Sequence, residues 1–195
     1  GRGDMVKELM GKLQAQVLGL GAYRAEVVNV ADISVDTSFR SLCEADSCGN
    51  YGKNYMCPPD IGNIEALAAE LKSYELAMVY QTVEELEDSY DFEGMMLAGA
   101  KHNGLARKLR ETETAKEGDK PGGGIRLLHL GAGGCRVCQV CAKRTREPCR
   151  FPDAAIGSLE AYGVNVQHLA EAAGMRYTNG QNTVTYFGTV FCRRE

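Results

Sequence analysis

The sequence lacks any run approaching the ~18 consecutive apolar residues of a membrane-spanning helix, so no membrane association is expected. It also lacks a positive excess. Its 22 Lys and Arg against 26 Asp and Glu give a formal charge of −4, which argues against a dedicated nucleic-acid or anionic-membrane surface. The start, Gly1-Arg2-Gly3-Asp4-Met5, lacks the positive-then-apolar layout of an export leader, and a cytoplasmic location is the expectation. There is no internal repeat and no low-complexity tract. The 3 histidines, His102, His129 and His168, are scattered through helix and strand candidates, and no Ser-His-Asp or paired-carboxylate constellation stands out. Of these, His129 lies nearest a glycine-rich turn. Neither the G-x-G-x-x-G nor the G-x4-G-K-[ST] phosphate pattern occurs.

What remains is a chain of 195 residues, 44% apolar and 25% charged, in the proportions of a soluble globular protein. At this size about 70% of the unfolded surface can be buried without help from a metal. Val6, Leu9, Met10, Leu13 and Val17 mark one face of a helix over Met5 to Leu20. Arg24 to Val35 reads as extended, Ile64 to Leu71 as a helix and Leu76 to Val83 as a buried strand. Phe92 to about Lys116 is helix-forming, Ile125 to Leu130 a strand, and Ala154 to Tyr162 and Val166 to Ala173 two short helices. Thr183 to Phe191 is the clearest strand by its β-branched and aromatic content. The alternation predicts a mixed α/β (or α+β) fold: a single layered domain over residues 1–195, its mixed sheet flanked by helices and cysteine-rich loops.

The chain holds 8 cysteines and 23 glycines, and seven of the cysteines fall in two short windows. A domain of this size does not need disulfide staples, and clustered thiolates repel one another unless a cation or cluster compensates them. The second window reads Cys135-x2-Cys138-x2-Cys141-x7-Cys149, followed by Pro152. Three thiolates at successive spacings of three can wrap one corner of a cubane after another, with a fourth arriving from a later turn. This spacing points to a [4Fe-4S] cluster held by Cys135, Cys138, Cys141 and Cys149. Zinc, which more often takes cysteines as separated pairs, and partly ligating or redox thiols are the alternatives. Cys135 and Cys149 crowd the Cys138-x2-Cys141 pair and spoil a thioredoxin-like reading, and no histidine follows Cys141 for haem attachment. Arg136, Lys143, Arg144, Arg146 and Arg150 lie in or beside the loop. Some would offset the charge of an anionic centre, while Lys143 and Arg144 are expected to face solvent.

The first window, Cys43-x4-Cys48-x8-Cys57, offers three further soft ligands on a bending Gly- and Asn-rich stretch that ends in Pro58-Pro59. It reads as a second metal or cluster site, and three ligands on a cubane would leave one iron position open to small-molecule chemistry. The competing reading is that its thiols complete or shield the first centre. Tyr51 and Tyr55 are expected to pack over this loop, Asp46 and Asp60 to serve as helix caps, and Lys53 to face solvent. Cys192 shares strand parity with Val184, Tyr186, Gly188 and Val190, which predicts a small core residue.

These residues carry a resemblance. Phe39-Arg40, Cys43, Cys48, Tyr51-Gly52-Lys53, Cys57-Pro58-Pro59, Gly133-Gly134-Cys135, Cys138, Cys141, Pro148-Cys149, Pro152 and Ser158 through Val164 together resemble the DUF2284 family of predicted metal-binding proteins. The resemblance extends to the terminal strand around Tyr186 to Val190. It implies metal or iron–sulfur binding in one domain of a bacterial or archaeal cell, and it implies no established reaction. The expectation is therefore an iron–sulfur protein with one cluster or two, serving electron transfer to a redox partner protein or chemistry on a small-molecule substrate. A zinc-pinned structural or interaction module and an enzyme with an open iron are the other readings.

Overall fold

A computed structural model describes residues 2–45, 51–117, 124–133, 137–138, 140–151 and 155–195, with side chains omitted at 2–4, 42–43 and 113–117. The chain begins with α1 (Arg2–Gly19), whose Val6, Met10, Leu13 and Val17 recur at helical spacing and are all buried. β1 (Arg24–Asn29) follows. The expected extension to Val35 stops there, because Val30–Asp32 form a 3-10 turn in which the Ile33 N–H bonds back to the Val30 carbonyl at 3.0 Å. That turn drives Val30 and Ile33 into the core, and strand character returns only as a single bridge between Val35 and Val164.

The short α2 (Arg40–Glu44) carries Cys43, the start of the first cysteine window, and α3 (Ile64–Lys72) comes after that window. Asn63 caps α3, its Oδ1 accepting from the N–H groups of Glu65 at 2.9 Å and Ala66 at 3.3 Å. β2 (Leu76–Glu85) and α4 (Phe92–Glu117) then lead to β3 (Ile125–Gly131). After the second cysteine window come β4 (Gly157–Ser158), α5 (Val166–Ala172) and β5 (Thr183–Arg194).

Among the described residues the strands form one five-stranded mixed sheet in the order β1-β2-β5-β3-β4. All neighbours are antiparallel except β3 and β4, which run parallel. The spine is the β2–β5 ladder, from Leu76 opposite Cys192 to Glu85 opposite Thr183. Six successive β2 residues, Ala77 to Thr82, are buried because both faces of the sheet are covered. Met78, Tyr80, Val190 and Cys192 pack beneath α1 and α4. Ala77, Val79, Phe187 and Phe191 pack on the other side against Leu67 and Leu71 of α3 and Leu169 of α5. Cys192 is thus a core residue, as its parity predicts.

Two close approaches fix the packing. The Tyr80 ring lies over Gly188, where a Cβ would overlap the ring. At Gly163, φ is 82° and a Cβ would come 2.9 Å from the Asp36 carbonyl oxygen.

The stretch read as a helix over Ala154 to Tyr162 is not one among the described residues. Gly157 and Ser158 pair with Leu130 and Gly131 as β4, and Glu160–Tyr162 form a 3-10 turn. Gly157 sets this outcome, since a Cβ there would stand 2.9 Å from Cδ1 of Ile61. The consequence for the site is direct. The chain leaves the sheet after Gly131 and rejoins it at Gly157, so the second cysteine window lies between the two strands of a hydrogen-bonded stem.

Candidate metal centre

The thiol loop is shaped by its own main chain. Cys141 is extended (φ −64°, ψ 137°) and heads a 3-10 turn over Ala142–Thr145, where the Arg144 N–H donates to the Cys141 carbonyl at 3.1 Å. Arg146 reverses the chain in the left-handed region (φ 59°), and the Glu147 N–H returns to the Ala142 carbonyl at 3.0 Å. Arg150 Nη1 donates to the Val140 carbonyl at 2.9 Å and closes the loop. This reversal brings Cys149 back toward Cys138 and Cys141.

Those three cysteines line one small cavity of about 20 Å³, room for about one water molecule. Its remaining walls are mainly apolar, including Val137, Ala142, Phe151 and Met56. The three thiols are half-buried and not in disulfides. Among the described residues, no group of three or more His, Cys, Asp or Glu side chains is already gathered at metal-ligating range. Cys135, the fourth cysteine of the spacing, lies outside the described residues, as do Gly134, Arg136 and Pro152.

The first window forms the roof. The Met56 N–H donates to Asn54 Oδ1 at 3.0 Å, the Cys57 N–H to the Asn54 carbonyl at 3.3 Å, and the Gly52 N–H to the Pro58 carbonyl at 2.7 Å. These bonds fold the segment over buried Asn54 and aim Tyr55 and Met56 at the cavity. Two ties then cross between the windows. The Tyr55 hydroxyl donates to the Glu147 carbonyl, and Lys143 Nζ makes an ion pair with Asp60.

Asp60 is therefore not a helix cap, a role that Asn63 fills, and Lys143 does not simply face solvent. Both differ from the expectation because their partner lies 83 residues away. Lys53 and Arg144 are exposed as expected.

Cys57 is buried at 5% exposure, and it is not among the residues lining the thiol cavity. Cys43 sits on α2, but its side chain lies outside the described residues, together with Cys48 and Asp46. The two cysteine windows are thus neighbours in space, with Tyr55 and Met56 rather than Cys57 bordering the cavity. His129 is half-buried in β3 and does not line it, and His168 is exposed on α5. Arg40 supports the assembly from behind. Its Nη1 donates to the Gly62 carbonyl at 2.8 Å and its Nη2 to the Ala161 carbonyl at 3.2 Å, fastening the end of the first window to the turn after β4.

The donor set decides what the cavity suits. Thiol sulfur lines it without a carboxylate or imidazole among the described residues, a composition that favours soft or borderline metals and iron–sulfur clusters over magnesium or calcium. Arg150 on the wall offers a positive charge beside any thiolates.

Fold and site together define a layered α/β protein with a thiol-lined recess clasped between two cysteine-bearing loops. The chain belongs to the DUF2284 family of predicted metal-binding proteins, whose sequence profile matches residues 26–192. No curated protein and no solved structure matches it. Among the described residues, no helix is long and apolar enough to cross a membrane.

Proposed function

We propose that the protein binds a [4Fe-4S] cluster through Cys135, Cys138, Cys141 and Cys149 and works as a redox protein. The carrying observation is that Cys138, Cys141 and Cys149, arranged in sequence as an iron–sulfur loop, line one cavity. A bound cluster would supply reversible one-electron transfer. The chain's own residues do the rest: Met56, Val137 and Phe151 give the cavity apolar walls, Arg150 balances thiolate charge, and the Tyr55–Glu147 and Lys143–Asp60 ties hold the roof in place. Electron exchange with a redox partner protein, or with a small-molecule substrate, follows as the use of such a centre.

The test is anaerobic purification followed by absorption spectroscopy with iron and acid-labile sulfide analysis. The expected outcome is brown protein containing iron and sulfide, lost in C138S, C141S or C149S while far-ultraviolet circular dichroism is retained. Colourless protein holding stoichiometric zinc after that handling rejects the cluster.

Zinc is the second reading, and the size of the cavity favours it, since about 20 Å³ suits a single ion without widening the loop. In that case the metal pins the two loops together, and chelation loosens them without altering any redox signal.

A further inference from the structure

The four most exposed large apolar side chains of the described residues fall within eight positions: Tyr90 at 78%, and Phe92, Met96 and Leu97 at 67% each. At about 100° per residue, Phe92, Met96 and Leu97 share one side of α4. Ala98, His102, Leu105 and Leu109 occupy the opposite side and are buried against the sheet. The helix is therefore fully seated, and the apolar patch is not the face it needs for packing.

The surroundings of the patch are acidic. Six of the chain's 26 acidic residues and none of its 22 basic ones lie between Glu84 and Glu93, which leaves the rest of the chain with a slight positive formal charge. Glu85, Glu87, Asp88 and Glu93 are exposed. Asp91 is committed to structure: its Oδ1 accepts the Gly94 N–H at 2.8 Å, its Oδ2 accepts the Glu87 N–H at 3.1 Å, and these bonds hold its carboxyl below the usual range. Lys101, one turn after Leu97, pairs with Glu84 at 2.8 Å, and Glu85, Glu87, Asp88 and Glu93 keep the rim acidic beyond that pair. An aromatic and methionine centre within a mainly acidic rim has the anatomy of a protein–protein contact, and the rim selects the partner's charge.

We propose that Tyr90, Phe92, Met96 and Leu97, rimmed by Glu85, Glu87, Asp88 and Glu93, form a docking site for a partner protein that presents apolar side chains ringed by lysine and arginine. The placement fits use alongside the thiol loop. β2 and β3 both run antiparallel to β5, so the connection carrying Tyr90 and the loop carrying Cys138 leave the sheet in the same direction, β3 beyond Leu130 opposite Thr189 and β2 beyond Glu85 opposite Thr183. The docking site stands on exposure and charge alone and is independent of which metal the thiols hold.

The test uses a labelled helical peptide with a leucine face and a lysine rim. Controls are the same peptide with glutamate in place of lysine and with serine in place of leucine. Fluorescence anisotropy is expected to show binding of the first peptide about ten-fold tighter than either control, weakening with salt. Charge reversal in E85K/E87K/D88K/E93K, and separately F92S/L97S, should each weaken it about ten-fold. Hydrogen exchange should show protection at residues 84–97. Equal binding by wild type and both variants, or protection confined elsewhere, overturns the proposal. Concentration-dependent self-association that F92S/L97S abolishes also overturns it, by making the occupant a second copy of this chain.

Discussion

Arg40 shows how much of the site rests on single side chains far from the thiols. Its guanidinium joins the Gly62 and Ala161 carbonyls, two points separated by about half of the chain. Replacing it with alanine strands both carbonyls, and R40A should cost about 2 kcal/mol in urea unfolding. R40K should recover only part of this, because a point ammonium cannot span both acceptors. Equal stability of R40A and wild type would refute the role. The cysteine spacing and the inward parity of Cys192 were legible from residue order, since both are local periodicities. The Lys143–Asp60 and Tyr55–Glu147 ties were not, because a contact between distant windows exists only once α3, β2, α4 and β3 have set the separation between them.

At the scale of elements, helices with an unbroken apolar stripe and the buried strands were readable, and departures occurred where a glycine or a turn overrode composition. Ala155 to Tyr162 is rich in helix-forming residues, yet Gly157 lets Ile61 approach and the segment pairs with β3 instead. β1 ends short of the extended stretch for a related reason: Val30 and Ile33 have strand character, and the 3-10 turn over Val30–Asp32 buries both. The Tyr80–Gly188 contact gives the sheet and α4 their common packing. G188A should destabilise the protein by about 1–3 kcal/mol through overpacking, and G188A/Y80F should recover little, because the clash is with the ring rather than only its hydroxyl. A calorimetric midpoint unchanged in G188A would contradict this packing.

For the whole molecule, alkaline stability reports the integrity of the core. Burial, reinforced by the charges of Glu70 and Tyr74, pushes the Tyr162 phenol up to about 12 from an ordinary 10.0. Burial raises that of Tyr80 as well. The folded state therefore prefers the neutral phenol. Its contribution is complete below pH 10 and is lost as the pH climbs toward 12, where the unfolded chain ionises first. Urea unfolding across that range, followed by phenolate absorbance, should show a stability loss reduced by up to about 2 kcal/mol in Y162F. An identical loss in Y162F would place the alkaline weakness elsewhere.

The parallel stem of β3 and β4 has a consequence of its own. Because Leu130 and Gly131 are paired directly with Gly157 and Ser158, the sheet itself holds together the two ends of the intervening 25 residues and offsets part of the entropic penalty of closing them. The loop is then an exchangeable cassette. Lengthening it or recasting its sulfur pattern alters what the recess accepts while the sandwich beneath stays folded, so this scaffold can change its inorganic cargo without having to rebuild its framework.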